Sequence, residues 1–183
     1  ARRGAAAPDS RRVALLAQEE AFSKGITSFQ DAGSGFRTVD LWKEMVDDGS
    51  LKIRLWVMIR AGNESLAENL AAYRVVGHGD RLTVRAIKKS IDGALGSHGA
   101  WLLEPYSDMP ESSGLNTTPL PDLRAAAQIA LEHDVQLCVH AIGDRANRET
   151  LDLYEAVWAG RPAADRRWRI EHAQHLPPDD IPR

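Results

Sequence analysis

The sequence contains a single cysteine, Cys138, so no internal disulfide can form and the fold does not depend on oxidation. It also lacks any run of about 18 apolar residues, the length that a transmembrane helix requires. Its 23 basic and 26 acidic side chains leave a net charge of −3, without a basic stripe that would attract nucleic acid or an anionic membrane. We therefore expect neither nucleic acid nor a membrane as a partner.

The chain starts with ARRGAAAPDSRR, which lacks an initiator methionine and the apolar core of a signal peptide. It stops at PPDDIPR, where the pattern indicates the beginning of a helix. These two ends predict that the sequence is an internal piece of a longer protein. They leave the cellular compartment open, with a cytoplasmic location slightly favoured.

Helical and strand-like segments alternate along the chain, which predicts an α/β fold with a parallel sheet. Strand ends are expected at Gln30, Met58, Lys88, His140 and His172, and the gaps between them are 28, 30, 52 and 32 residues. The long gap contains a polar loop from about residue 93 to 118. A (β/α)₈ barrel averages about 31 residues per unit, so the spacing favours part of a TIM barrel.

Two local patterns add detail to this prediction. A capping box from Ser65 to Glu68 predicts the start of one helix. A helix over residues 11–23 is expected to share one inward face among Val13, Leu16, Ala17 and Phe22.

Three chemically active side chains stand where successive strands end. Strand alternation places His140 on one face with Gln136 and Cys138, and it predicts that His172 points inward with Trp168 and Ile170. Two imidazoles and Lys88 would then converge at the rim where barrel enzymes build their sites. Neutral imidazole binds zinc, although a histidine at a strand end is also commonly a hydrogen-bonded structural residue. A lysine ammonium repels cations, whereas carbamylation by carbon dioxide would turn the lysine into a carboxylate-like bridge between two metals.

Four stretches carry a resemblance to a known family: GITSFQDAG, IKKSIDGALGSHGAWLLEPYSD, VHAIGDRAN and RWRIEHAQHL. They resemble amidohydrolase family 3, the metal-dependent hydrolases that include N-substituted formamide deformylase-like enzymes. The resemblance covers nearly the whole chain, from about Arg11 to the end. It implies a metal-assisted hydrolysis of carbon–nitrogen bonds of the amide type in a small-molecule substrate, and it leaves homo-oligomerisation open.

The resemblance also implies roles for the three strand-end residues. Lys88 corresponds to the carbamylated lysine that bridges two metals, and His140 and His172 correspond to metal-binding histidines. The expected cofactor is a divalent metal, zinc above all, as one or two ions. The family's His-x-His on strand one and its aspartate on strand eight have no counterpart in this sequence. Residues 1–183 are therefore expected to be the central part of the barrel domain, strands two to six of eight, inactive alone.

Other polar residues of the matched stretches are candidates for contacts with the substrate. Asp92 and Asp144 follow strand ends, although Asp144 is equally suited to cap a helix. Arg145 could bind a substrate carboxylate or form a surface ion pair. His98 stands where the family pattern suggests arginine, so the contacts of this position with the substrate are in doubt.

Two further residues are expected to be structural. Glu171 shares a face with Arg169, and we expect an ion pair there that points towards the helices. Cys138 lies two residues before His140 with no base beside it, which indicates a small buried residue rather than a catalytic thiol.

Two rival functions remain open at this level. In the first, Lys88 forms a Schiff base in a lyase built on the same barrel. In the second, the chain is a truncated barrel that acts only as a binding module, because a barrel without three strands cannot close and exposes sheet edges.

Overall fold

The computed structural model of the chain describes residues 9–183. Five helices and six strands follow one another along the sequence: α1 Ser10–Ser23, β1 Ser28–Ser34, α2 Phe36–Asp47, β2 Arg54–Ile59, α3 Asn63–Tyr73, β3 Val75–His78, β4 Leu82–Ser90, α4 Leu120–Glu132, β5 Gln136–Ala141, α5 Asp144–Trp158 and β6 Arg169–His172. The first eight residues of the opening segment ARRGAAAPDSRR lie outside the described part. Within residues 9–183, no helix is long and apolar enough to cross a membrane.

The chain divides into two compact units. The first comprises residues 9–58 and Tyr73–Arg85, and the second comprises Ile59–Ala72 and Ala86–Arg183. Strand β4 contributes its first half to one unit and its second half to the other. Each unit has its own buried apolar residues, for example Val39, Met45 and Val57 in the first and Ile87, Leu123 and Leu137 in the second.

The first unit contains β1, β2 and the start of β4 in that order, with β3 paired antiparallel to β4. Strand β3 was not expected from the sequence pattern. Helix α2 ends at Asp47, and Gly49 follows with φ = 75°, a left-handed conformation that glycine adopts without strain.

Helix α1 buries a different face from the predicted one. Its buried residues are Ala14, Gln18 and Ala21, whereas Val13 and Leu16 are 51% and 54% exposed. The Gln18 side chain explains this rotation, because its Oε1 accepts the N–H groups of Lys52 (2.6 Å) and Ile53 (3.0 Å). A polar residue is therefore buried in place of the expected apolar ones, because it pairs with backbone donors that would otherwise lack a partner.

The predicted capping box is also wrong. Helix α3 begins at Asn63, two residues before Ser65, and Leu66 N donates to Gly62 O at 2.9 Å. Ser65 thus lies inside the first turn, where its carbonyl accepts from the Asn69 side chain at 2.9 Å.

The second unit contains the end of β4, then β5 and β6, all parallel. Helices α4 and α5 pack on each other and on β5. Leu137, Val139 and Ala141 of β5 are fully buried. The Tyr154 hydroxyl of α5 donates to the carbonyl oxygens of Leu137 (3.2 Å) and Arg169 (2.9 Å), which fixes the helix across β5 and β6.

Candidate active site

The register of β4, β5 and β6 defines the face that carries the polar residues. Because paired residues of parallel strands point to the same side of a sheet, each paired row lies on one face. One row consists of Lys88, Cys138 and Arg169, and the next row towards the strand ends consists of Ser90, His140 and Glu171.

His140 and His172 lie together at the ends of β5 and β6. Their ring centroids are 4.5 Å apart and the ring planes meet at 74°. In register, His172 pairs with Ala141 and not with His140, so simple alternation would place it on the opposite face. His172 has φ = 80° and Ala173 has φ = 45°, and this left-handed backbone ends the pleated alternation beside His140.

The rest of β6 differs from the prediction. Trp168 contacts Tyr154 and Trp158 of α5, with ring centroids 5.1 and 5.4 Å away, so it lies on the helix side and does not point inward with His172. Ile170 pairs with Val139 on that same side.

The expected Arg169–Glu171 ion pair is present, with a separation of 2.8 Å. It lies on the face of Cys138 and His140, whereas the sequence suggested the helix side. The misassignment has one cause, because the sequence gives no sign that the alternation stops at His172. Arg169 and Glu171 are therefore two residues of the candidate site face that sequence reasoning missed.

The Nε2 atom of His140 is buried and makes no hydrogen bond within the described residues. Asp92 Oδ1 lies 3.3 Å away, but the angles do not form a hydrogen bond. Burial lowers the pKa of His140; the Asp92 carboxylate opposes this shift, and His172 and Lys88 add to it. A neutral imidazole with an unpaired buried nitrogen is a suitable metal ligand.

Lys88 is 5% exposed, and its Nζ donates to the Lys89 carbonyl at 2.9 Å. Burial lowers the pKa of Lys88, the Arg60 guanidinium lowers it further, and Glu171 and Cys138 oppose the shift. A larger fraction of the amine is therefore neutral than in water, and the neutral amine is the form that reacts with electrophiles.

Cys138 lies beside Lys88 in the same row and is fully buried. Burial raises the pKa of its thiol to about 12. The side chain is therefore a neutral thiol at ordinary pH, which agrees with a packing role and not with a nucleophile.

Among residues 9–183, no group of three or more His, Cys, Asp or Glu side chains is arranged to hold a metal ion. The two imidazoles and Lys88 are the donors that this part of the chain brings to one strand-end region. The unpaired Nε2 of His140 fits a metal ligand, so these residues suit part of a metal centre.

Asp92 lies beneath this region with a fully buried side chain. Its Oδ1 accepts the N–H of Ile142 (3.0 Å), and its Oδ2 accepts those of Trp101 (3.0 Å) and Gly143 (2.8 Å). Asp92 therefore joins the loop at Trp101 to the turn that follows β5. These contacts give it a positioning role, and its contact with a substrate stays a prediction.

The other candidates hold the long loop in place. Asp144 is the first residue of α5, after the N-cap Gly143, and its Oδ1 accepts the N–H groups of Leu103 and Arg145, both at 2.8 Å. Arg145 lies over the Trp101 ring, 4.6 Å from its centroid. The structure thus gives both residues structural contacts, and a substrate contact of either remains a prediction.

His98 makes its contacts within the loop. Its Nε2 lies 3.0 Å from Asp108 Oδ2, and its ring meets Tyr106 edge-on at 4.8 Å. Its own backbone has φ = 54°. A substrate contact of His98 therefore also stays a prediction.

Comparison with known proteins places this geometry in a family. Residues 5–183 match the sequence profile described as "Amidohydrolase family". "Protein LONG AFTER FAR-RED 3" of Arabidopsis thaliana is 37% identical over 183 residues, which cover 93% of this chain and 31% of that protein. "Putative amidohydrolase YtcJ" of Bacillus subtilis (strain 168) is 37% identical over 91 residues, 50% of this chain and 17% of that protein. The chain therefore spans less than a third of these curated relatives.

Two solved structures have a similar fold. An uncharacterized metal-dependent hydrolase from Pyrococcus furiosus matches with a TM-score of 0.71 and 28% identity, over 81% of this chain and 31% of that one. Its counterpart from Pyrococcus horikoshii OT3 matches with a TM-score of 0.68 and 28% identity, over 78% and 29% of the two chains. Together with the parallel strands and alternating helices, these matches confirm the predicted α/β class, part of a TIM-type barrel. The match of the family profile to nearly the whole chain shows that this protein belongs to the amidohydrolase family.

Proposed function

We propose that the protein is a metal-dependent hydrolase that cleaves carbon–nitrogen bonds of the amide type, with Lys88, His140 and His172 as ligands of a divalent metal, zinc above all, in one or two ions. The observation that carries the proposal is the pair of imidazoles 4.5 Å apart, one of which has a buried Nε2 without a hydrogen bond. The similarity to two metal-dependent hydrolases and the membership of the amidohydrolase family support it.

Each residue of the proposed centre has a chemical task. A bound divalent ion supplies a water whose pKa falls from about 15.7 to about 7, together with a Lewis acid for the substrate carbonyl. His140 and His172 offer imidazole nitrogens, and burial lowers the pKa of His140 and so favours its neutral form. The proposed carbamate forms when Lys88 Nζ bonds to the carbon of carbon dioxide and loses a proton, which turns the amine into an anionic oxygen ligand.

The neighbouring residues hold these ligands in position. Asp92 ties the turn after β5 to the long loop, so that the backbone following His140 is fixed on both sides. Ile91 N donates to His140 O at 3.0 Å and extends the pairing of β4 and β5 to the end of the site. A site supported by such backbone bonds is preorganised for ligands or substrate.

The test uses the full-length protein as isolated, His140→Ala, His172→Ala and the double variant, with His133→Ala at the end of α4 as the matched control. Elemental analysis should show stoichiometric divalent metal in the wild type and in the control. Each site variant should lose metal and hydrolysis of N-formyl and N-acetyl amides together, by about tenfold or more. Wild-type metal content and activity in the double variant would end the proposal.

A Schiff-base lyase is the second candidate, because the buried Lys88 with its lowered pKa also suits imine formation. Borohydride with a carbonyl compound separates the two functions. A covalent adduct on Lys88, absent in Lys88→Met, would favour the lyase. A carbamylated lysine forms no imine, so the hydrolase predicts an unmodified protein of full activity after the treatment.

A further inference from the structure

A pocket of about 360 Å³ lies at the ends of β2 and β4, entirely within the second unit. Its lining residues are polar or charged with one exception: Arg60, Ala61, Lys88, Lys89, Ser90, Thr117 and Thr118. Sites for small molecules have volumes of about 300 to 1,000 Å³. This pocket is therefore large enough for a small organic group, and its charged lining favours a group of opposite charge.

The charge in the pocket is positive and poorly balanced. Arg60 is exposed and forms no ion pair within the described residues. Lys89 Nζ donates to the Ala61 carbonyl at 2.9 Å, and this bond uses one of its three hydrogens. The Asp122 carboxylate lies near Lys89 and balances part of its charge. Arg60 and Lys89 line the same pocket, and an anion between two cations stabilises both.

Two threonine hydroxyls fix the rim of the pocket. Thr118 and Thr117 donate their hydroxyls to the Ser90 carbonyl at 2.6 and 3.3 Å, which holds the segment before α4 against the end of β4. Helix α4 begins directly after this segment and carries Asp122 in its first turn, which offsets the positive end of the helix dipole.

The pocket adjoins the proposed hydrolytic centre. Lys88 and Ser90 line it, and both lie in register with residues of β5: Lys88 pairs with Cys138 and Ser90 with His140. The pocket therefore borders the row of residues that contains His140. If Lys88 becomes a carbamate, Arg60 and Lys89 still provide two cations.

From these observations we infer that the pocket binds a carboxylate of the substrate, so that the substrate is a small amide-type compound that carries a carboxylate. This inference rests on the proposed function. The guanidinium of Arg60 suits a carboxylate because it can donate two parallel hydrogen bonds. Lys89 supplies a second charge, and Ser90 also lines the pocket.

The experiment compares two probes that differ only in this group, N-acetylglycine and its neutral carboxamide. Binding to the full-length protein as isolated is measured from the broadening of the acetyl methyl signal in proton NMR. The wild type should bind N-acetylglycine about tenfold more tightly than the carboxamide. Arg60→Gln and Lys89→Gln should each weaken N-acetylglycine by about fivefold or more, with little effect on the carboxamide.

Arg124→Gln removes the same charge from the exposed face of α4, outside the pocket, and should leave both affinities unchanged. Metal content is measured for every variant. Equal affinity of the wild type for both probes, or wild-type affinity in Arg60→Gln, would overturn the carboxylate subsite while leaving the metal proposal intact. Absence of bound metal from the wild type, with the preference for N-acetylglycine retained, would instead support the carboxylate subsite and overturn the hydrolase proposal.

Discussion

The Asp92 side chain accepts hydrogen bonds from three backbone N–H groups around the candidate site. Its carboxylate is fully buried and accepts three N–H groups from two separate segments. An ionised carboxylate is suited to this arrangement because it is purely an acceptor, whereas an amide presents two donors. The residue therefore stabilises the site through its charge as well as its shape.

We predict that Asp92→Asn lowers the free energy of unfolding by about 2 to 3 kcal/mol, because the new amide nitrogen leaves a buried N–H donor without an acceptor. Urea unfolding followed by tryptophan fluorescence measures this change. Asp108→Asn is the control, since Asp108 is largely exposed and pairs with His98 at the surface, and it should change the stability far less. Similar stability of the two variants would show that the Asp92 contacts contribute little.

At the level of single residues, the role of Lys88, His140 and His172 as metal ligands stays a prediction, and His172 is exposed. For their placement, the strand-end pattern correctly predicted that the two histidines lie close together. It failed for Arg169 and Glu171, which lie on the face of His140. The physical reason is that His172 has a positive φ although it is not a glycine, and sequence propensities do not predict such a backbone conformation.

The long loop between β4 and α4 behaves as an ordered element of the site. Trp101 N donates to Asp92 and Leu103 N donates to Asp144, while Ala146 N donates to Trp101 O at 3.2 Å. Gly143 makes this close approach feasible, because a Cβ at that position would lie 2.0 Å from Trp101 O. The loop is thus held to the start of α5 by backbone contacts that tolerate no side chain.

Gly143→Ala should displace the loop, since the atoms that its Cβ meets belong to the Trp101 backbone and cannot rotate away. We expect hydrogen exchange at the amides of Trp101 and Leu103 to accelerate by about tenfold or more, measured by mass spectrometry. Gly96→Ala is the matched control in the same loop, where a Cβ meets nothing within 4 Å. Unchanged protection in Gly143→Ala would contradict this account of the loop.

At the scale of elements, helices and long strands were predictable and their details were not. Strand β2 buries Leu55, Val57 and Ile59, which alternate along the strand. Strand β3 was missed because four residues with a glycine inside carry little periodic signal. The inward face of α1 was wrong because Gln18 is buried by hydrogen bonds to Lys52 and Ile53, an interaction between distant segments that helical periodicity cannot contain.

At the scale of the molecule, spacing was the most informative property of the sequence. A spacing of about 31 residues between strand ends remains recognisable even when single helices are predicted wrongly. This spacing predicted the fold class that the related structures confirm. The extent of the active centre was not accessible in this way. The chain spans 31% of its Arabidopsis relative.

The pH dependence of the stability of the whole protein tests the electrostatics of the site. Burial lowers the pKa of His140 below its usual 6.5, so the native state keeps this imidazole neutral while the unfolded chain takes up a proton. The unfolded state then binds more protons, and stability must rise with pH in the window from the lowered pKa up to about 6.5 and a little above.

For the full-length protein freed of metal, we therefore predict that the free energy of unfolding falls between about pH 7.5 and 5.5 by at most about 1.4 kcal/mol per pH unit from this group. His140→Gln removes the titrating ring, so the difference between wild type and variant isolates its contribution. That difference should shrink as the pH falls, because the wild type loses stability that the variant never had. A difference independent of pH would show that His140 has the same pKa in both states, and the neutral ligand proposed for the metal would then lack its electrostatic basis.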